Sequence, residues 1–348
     1  MAALSMIRSA MNYKVQFGVI ALAAMTITSG ISHFVVRWLH IRTVVVSHRI
    51  IGDCGAKPFA YLAGSSLMLD ALSVDRVSME LRHGIETWFV AGSSPSEWEP
   101  FQSLAPDARI TLVGVSAYDL NEEFLCDFRS EVVPLGQAVR DLAAARSSWP
   151  FITRVLSEYP LQYLRILFPT AGRSDGVMGG LKEQLREPLR PWIAFESDVG
   201  PKVPLLDGGG LDYKRERISD WSAGYLLRSV EKLRSACQDR HSFDGTKNLA
   251  LLRILERGRR QGRVIVVVLP VSAAYKNGFF TAKTVRKFED ALHAAQLAVP
   301  DVFWIRLDQI PQLSSNEYFW DVVHLNTFGQ QIATDAFLEQ MRGIVPKM

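Results

Sequence analysis

The stretch 263–269, which contains most of the run VIVVVLP, constrains this chain more than any other. A strand with one face in water alternates apolar and polar residues, whereas a continuous β-branched run suits a strand buried on both faces, as in parallel sheets covered by helices. Five further short runs rich in β-branched and aromatic residues read as strands, at 43–46, 59–62, 86–90, 110–114 and 302–307. Helical periodicity marks 137–145, 149–167, 221–237, 248–261, 283–298 and 327–341, the last opening near Thr327 just after Asn326, a usual start signal. Strands alternating with helices predict the α/β class, with a three-layer parallel sheet flanked by helices. The alternation breaks between about 126 and 245, which reads as a mostly helical insertion between two halves of one sheet.

Residues 15–36 contain no Asp, Glu, Lys or Arg. At about 1.5 Å per residue, such a run is long enough to cross a hydrocarbon core of about 30 Å. The expected organisation is therefore an N-terminal transmembrane helix within residues 1–40, favoured over a cleaved signal peptide, followed by one α/β domain over 41–348. A bilayer partner and a single-pass membrane location follow from that reading. Basic residues flank the span on both sides, at Arg8 and Lys14 and at Arg37, Arg42 and Arg49, so charge does not orient it.

The formal net charge of +3 is spread through both halves, which argues against nucleic acid as a partner. The basic run ERGRRQGR falls where a helix should end and where cations offset the helix dipole. Cys54, Cys126 and Cys237 have no CxxC spacing and no clustering with histidine, so zinc and thioredoxin-like chemistry have no basis in the sequence. Gly208, Gly209 and Gly210 lack the strand-turn-helix setting of a phosphate loop and read as a flexible connection. No cofactor is expected.

Three places fit one mechanism. In PFAYLAGSSLMLDAL an apolar strand runs into Gly64, Ser65 and Ser66, placing a hydroxyl on the sheet edge where open α/β folds bind ligands. In DVVHLNTFG, Asp321 stands three residues before His324, so the carboxylate can hold one ring nitrogen and leave the other free to take a serine proton. Two more strand ends, at Gly92 and at Gly114 to Ser116, can present N–H or hydroxyl donors to a developing oxyanion.

GSSL after a strand, a glycine at the next strand end, a third glycine block and a C-terminal DxxHLN followed by glycine together resemble the SGNH/GDSL hydrolase family. The pattern is most similar to its membrane-anchored branch, which works with polysaccharide O-acylation systems, and covers roughly 57–120 and 263–343. The resemblance implies Ser66 as nucleophile, His324 as general base and acid, Asp321 as its orienting partner, and Gly92 as an oxyanion donor. It places Ser116 at or beside the family's oxyanion asparagine, and Ser65 where the family usually has Asp. The implied function is a membrane-anchored serine O-acyl esterase or acyltransferase acting on cell-surface or exported polysaccharide, with the domain periplasmic or extracellular. Its implied partners are a carbohydrate and a multi-spanning membrane acyltransferase. The alternative is a non-catalytic assembly or polysaccharide-binding subunit, motivated by the missing asparagine and the large insertion.

Other residues read differently. Cys54 in IGDCG imitates a Gly-Asp-Ser block, but the glycine block that follows sits at the spacing Ser66 requires. His241 lacks a strand-end setting, and His83 and His293 read as structural. Trp149, Trp192, Trp221 and Trp320 are packing residues by default, Trp320 drawing interest because it precedes Asp321.

Overall fold

The computed structural model describes residues 22, 24–32, 47–51, 60–81, 84–89, 92–102, 108–126, 129–160, 216–237 and 240–344. The chain divides into two compact units, one formed by 1–43 with 153–198 and the other by 44–152 with 199–348. The described residues of the first unit, at 22, 24–32 and 153–160, are mostly helical. The second unit holds the sheet.

Its elements in chain order are β1 (Ser47–Ile51), β2 (Ala60–Ala63), α1 (Ser66–Ala71), α2 (Val74–Leu81), β3 (Ile85–Phe89), α3 (Pro95–Gln102), β4 (Ile110–Val115) and α4 (Ala117–Leu120). Then come α5 (Arg129–Val132), α6 (Leu135–Ala144), α7 (Trp149–Leu156, which runs into the first unit), α8 (Ala223–Ala236), α9 (Thr246–Gln261) and β5 (Arg263–Val268). The last are α10 (Ala273–Phe279), α11 (Ala282–Ala298), β6 (Phe303–Arg306) and α12 (Thr327–Ile344).

The six strands form one sheet in the order β1-β3-β2-β4-β5-β6. The five from β3 to β6 are parallel, while β1 closes one edge antiparallel to β3, which corrects the expectation of a wholly parallel sheet. The strand expected at 43–46 lies outside the described residues, and β1 begins just after it.

Side chains alternate across the sheet with period two. Ala60, Leu62, Ile110, Leu112, Ile265 and Val267 face one way and pack with Met68, Ala71 and Val77 of the first two helices and with Ala333 and Phe337 of α12. Tyr61, Ala63, Val113, Val115, Val264, Val266 and Val268 face the other way, onto Trp98 of α3, Leu251, Ile254 and Leu255 of α9, and Phe288 and Leu292 of α11. Helices therefore cover both faces, which explains why five of the six residues of β5 are buried and why the strand carries no alternation.

After the edge strand β1 the chain passes to β2, goes outward to β3, and returns past β2 to β4 before running out to β6. Connections thus leave β2 and β4 in opposite directions. A crevice opens at such a switch point beyond the carboxyl ends of the two strands. Ser65 and Ser66 follow β2, and Ser116 follows β4.

The expected membrane helix at 15–36 lies partly outside the described residues, of which 22 and 24–32 are helical. Among the described residues no helix is long and apolar enough to cross a membrane. That finding overturns the single-pass anchor and, with it, the bilayer partner and the membrane location that depended on it. Within the expected insertion, the described parts at 129–160 and 216–237 are mainly helical, and 161–215 lies outside the described residues.

Candidate functional site

Ser66 is the first residue of α1, and Ser65 caps that helix by accepting the Leu67 N–H at 3.2 Å. What seats the helix on the sheet is Met68. A β-carbon on Gly64 would lie 2.5 Å from Met68 Cβ, and one on Gly114 would fall among Met68 Cβ, Cγ and Sδ. Gly64, just after β2, and Gly114, inside β4, thus open the space that Met68 fills, which seats α1 and its first residue Ser66 beyond the carboxyl end of β2.

The second part is a turn near the C-terminus. Asp321 Oδ1 accepts the backbone N–H of Val323 at 2.8 Å and of His324 at 2.7 Å, folding DVVH back on itself. A bridge between Phe319 and Leu325 closes the base of the turn, and the Trp320 N–H donates to the His324 carbonyl at 3.1 Å. Asn326 then caps α12, its Oδ1 accepting from the N–H groups of Phe328 and Gly329. Its amide donates to the Glu317 and Glu216 carbonyls, and Ile218 N–H donates to the Phe319 carbonyl, so the end of the insertion braces this turn.

These two parts meet. Ser66 Oγ lies 2.9 Å from His324 Nε2, although the residues are 258 apart in sequence. Asp321 Oδ2 lies 2.7 Å from His324 Nδ1. Because a carboxylate only accepts, Nδ1 carries the ring hydrogen and Nε2 is left to accept from the Ser66 hydroxyl. The His324 side chain is 18% exposed, so the ring is sheltered yet reachable. Burial works against its charged form, but the Asp321 carboxylate, the hydrogen bond it makes, and the fields of Asp70 and Asp119 outweigh burial and raise the His324 pKa above 6.5. For Asp321, burial is likewise outweighed by the imidazole and by the backbone N–H groups, which hold the carboxyl below its ordinary range.

The two expected oxyanion residues differ. Gly92 follows β3 with φ of 69°, a left-handed conformation that L side chains rarely adopt, and the residue is exposed. The serines after it turn inward, Ser94 to the Glu97 carboxylate and Ser93 to the Trp98 indole N–H. Ser116 is fully buried, and both its N–H and its hydroxyl donate to Asp119 Oδ2, at 2.9 and 2.8 Å, while its Oγ accepts the Asp119 N–H. Its donors make a capping box at the start of α4. The spacing Ser116-x-x-Asp119 carried that signal. The Ser66 backbone N–H stands in the first turn of α1, where N–H groups have no carbonyl of their own helix to meet.

Of the remaining candidates, Cys54, His83, Trp192 and the run Gly208 to Gly210 lie outside the described residues. His241 packs edge-on against Phe279, and His293 is exposed on α11. Cys126 and Cys237 are buried. Trp320 was legible only as the neighbour of Asp321; in the structure its ring stacks on His324.

No family model matches the chain, and no curated protein matches it. The resemblance to SGNH/GDSL hydrolases rests on a few short blocks separated by long unmatched stretches, and this result overturns it as an identity. The functions drawn from it fall too, both the membrane-anchored enzyme of polysaccharide O-acylation and the assembly subunit, together with the carbohydrate and membrane acyltransferase named as partners.

Proposed function

We propose that this chain is a serine-dependent acyl-transfer enzyme that cleaves an O-acyl ester through an acyl-Ser66 intermediate. The observation that carries the reading is the 2.9 Å approach of Ser66 Oγ to a ring nitrogen of His324 whose other nitrogen faces Asp321.

In this mechanism the Ser66 Oγ attacks the ester carbonyl carbon while His324 Nε2 takes the hydroxyl proton. The imidazolium is held by Asp321 and gives its proton to the departing alkoxide as the carbon–oxygen bond breaks. Water or an acceptor hydroxyl then attacks the acyl-serine, again losing its proton to Nε2, and Ser66 is restored. The negative charge on the carbonyl oxygen meets the Ser66 N–H and the N–H at Gly92, each such donor being worth about 2.7 to 4 kcal/mol in enzymes of this kind.

The test is covalent. The folded full chain should react with a fluorophosphonate at Ser66 in a one-to-one ratio and turn over an aryl acetate, and Ser66→Ala should do neither. Absence of labelling in folded protein, or turnover that survives Ser66→Ala, would remove Ser66 from the mechanism.

A further inference from the structure

The indole of Trp320 lies against the His324 ring with centroids 5.1 Å apart and planes inclined by 20°. On its other side, Trp320 Nε1–H donates to Asp70 Oδ2 at 3.3 Å. Asp70 is buried and stands on α1 one helical turn after Ser66. One side chain therefore links the helix that bears the hydroxyl to the turn that bears the imidazole, and it touches the imidazole face to face.

We propose that Asp70 and Trp320 form a clamp that holds the His324 ring toward Ser66 and lends the indole face to the imidazolium formed when the serine proton moves. Both are positioning residues, and the role rests on the acyl-transfer reading above. A ring hydrogen-bonded only in its own plane, at Nδ1 to Asp321 and at Nε2 to Ser66, can still tilt out of that plane, and an aromatic plane stacked on it opposes the tilt. An imidazolium gains from an aromatic face in a way that the neutral ring does not, so the contact strengthens as the proton arrives. The charged groups facing His324 are Asp321 from its own turn, Asp70 from α1 and Asp119 from α4. Of these, Asp70 is the one that also fixes the indole.

The full chain is examined by NMR titration of the His324 imidazole and by the second-order rate of fluorophosphonate attachment to Ser66. Trp320→Leu removes both the aromatic face and the N–H. It should lower the His324 midpoint by about half a pH unit and slow attachment by about tenfold or more. Trp320→Phe keeps a face but cannot reach Asp70, so it should slow attachment while moving the midpoint less. Combined with Asp70→Ala, Trp320→Phe should be less harmful than the product of the two single effects, because both break one hydrogen bond. Folded Trp320→Leu or Trp320→Phe with both readouts unchanged, or a double variant equal to that product, would overturn the clamp. The titration needs no chemistry, so an unlabelled wild-type chain would sink the acyl-transfer reading while the midpoints still judged the clamp.

Discussion

Met68 stands where a side chain on Gly114 would have to go, so β4 and α1 approach each other only because position 114 has no β-carbon. Gly114→Ala is expected to cost about 1 to 3 kcal/mol through overpacking, measured as a fall in the urea midpoint at unchanged m. Because α1 begins with Ser66, the same strain should also slow fluorophosphonate attachment. Met68→Ala makes room, so the double variant should recover part of the loss. Additive effects would show that the glycine serves something other than this contact.

Glu122 caps a helix whose first residue lies more than a hundred positions away. Its Oε1 accepts the N–H of Thr246 at 3.0 Å, Oε2 accepts the N–H of Lys247 at 3.0 Å, and the Thr246 hydroxyl is bonded as well. Gly245 supplies no side chain to the cap, and a β-carbon there would meet Glu122 Cδ at 2.5 Å. Glu122→Ala strands these donors at a buried site and removes a carboxylate near Lys247, a buried amine already held below its ordinary pKa by desolvation. A loss of at least about 2 kcal/mol is expected, read by chemical denaturation. A change below about 0.5 kcal/mol would show that the carboxylate is not the cap.

How much of this was legible depended on how local each cause was. The strands of the parallel sheet were visible because a β-branched run with both faces buried leaves no polar alternation to confuse it. The longer helices α6, α9, α11 and α12 were visible within a few residues for the same reason of length. The helices α1, α2 and α3 were not, being six to eight residues long. Their register is set by what they cover, and Pro100 inside α3 disguises it further. Ser66, Asp321 and His324 were legible as residues at strand and helix ends, but nothing in either segment states the distance between them. At Ser116 the spacing to Asp119 announces the local cap, which involves only neighbouring residues. The cap from Glu122, the bracing of the His324 turn by Glu216 and Ile218, and the Asp70–Trp320 bond all join distant segments, and composition and periodicity carry no trace of them.

Asp119 is a buried carboxyl whose pKa is pushed up to about 6, desolvation being the largest cause and the hydrogen bonds from Ser65 and Ser116 working against it. A folded-state pKa above the unfolded value means the folded chain prefers the protonated form. The stability this contributes is fully present below the unfolded pKa, near 3.8, and is lost as pH rises through about 6. Asp119→Asn keeps an acceptor for Ser116 but does not titrate. Between pH 4 and pH 6 the wild-type chain should therefore lose stability relative to the variant, with a limiting slope of about 1.4 kcal/mol per pH unit. Parallel stability curves for the two proteins would place the Asp119 titration elsewhere.

The pH dependence of the reaction tests the pair Asp321 and His324 directly. Only the neutral imidazole can take the Ser66 proton, so activity should be lost as pH falls through the pKa of His324. That pKa lies above 6.5 because the neighbouring Asp321 outweighs the effect of burial. The acid limb of turnover should accordingly have its midpoint above 6.5, on the alkaline side of an isolated histidine. Asp321→Asn keeps an oxygen for the N–H groups of Val323 and His324, so the turn should persist. It replaces the carboxylate that faces Nδ1 with a group that can donate, which favours the tautomer bearing its hydrogen on Nε2 and leaves no lone pair for the serine proton. The midpoint should then move downward, and turnover should fall by up to about 10⁴. Ser66→Ala should show no such limb because it should show no turnover. An acid limb in the wild type at or below 6.5, or one that Asp321→Asn leaves in place, would mean that the group governing the reaction is not this histidine.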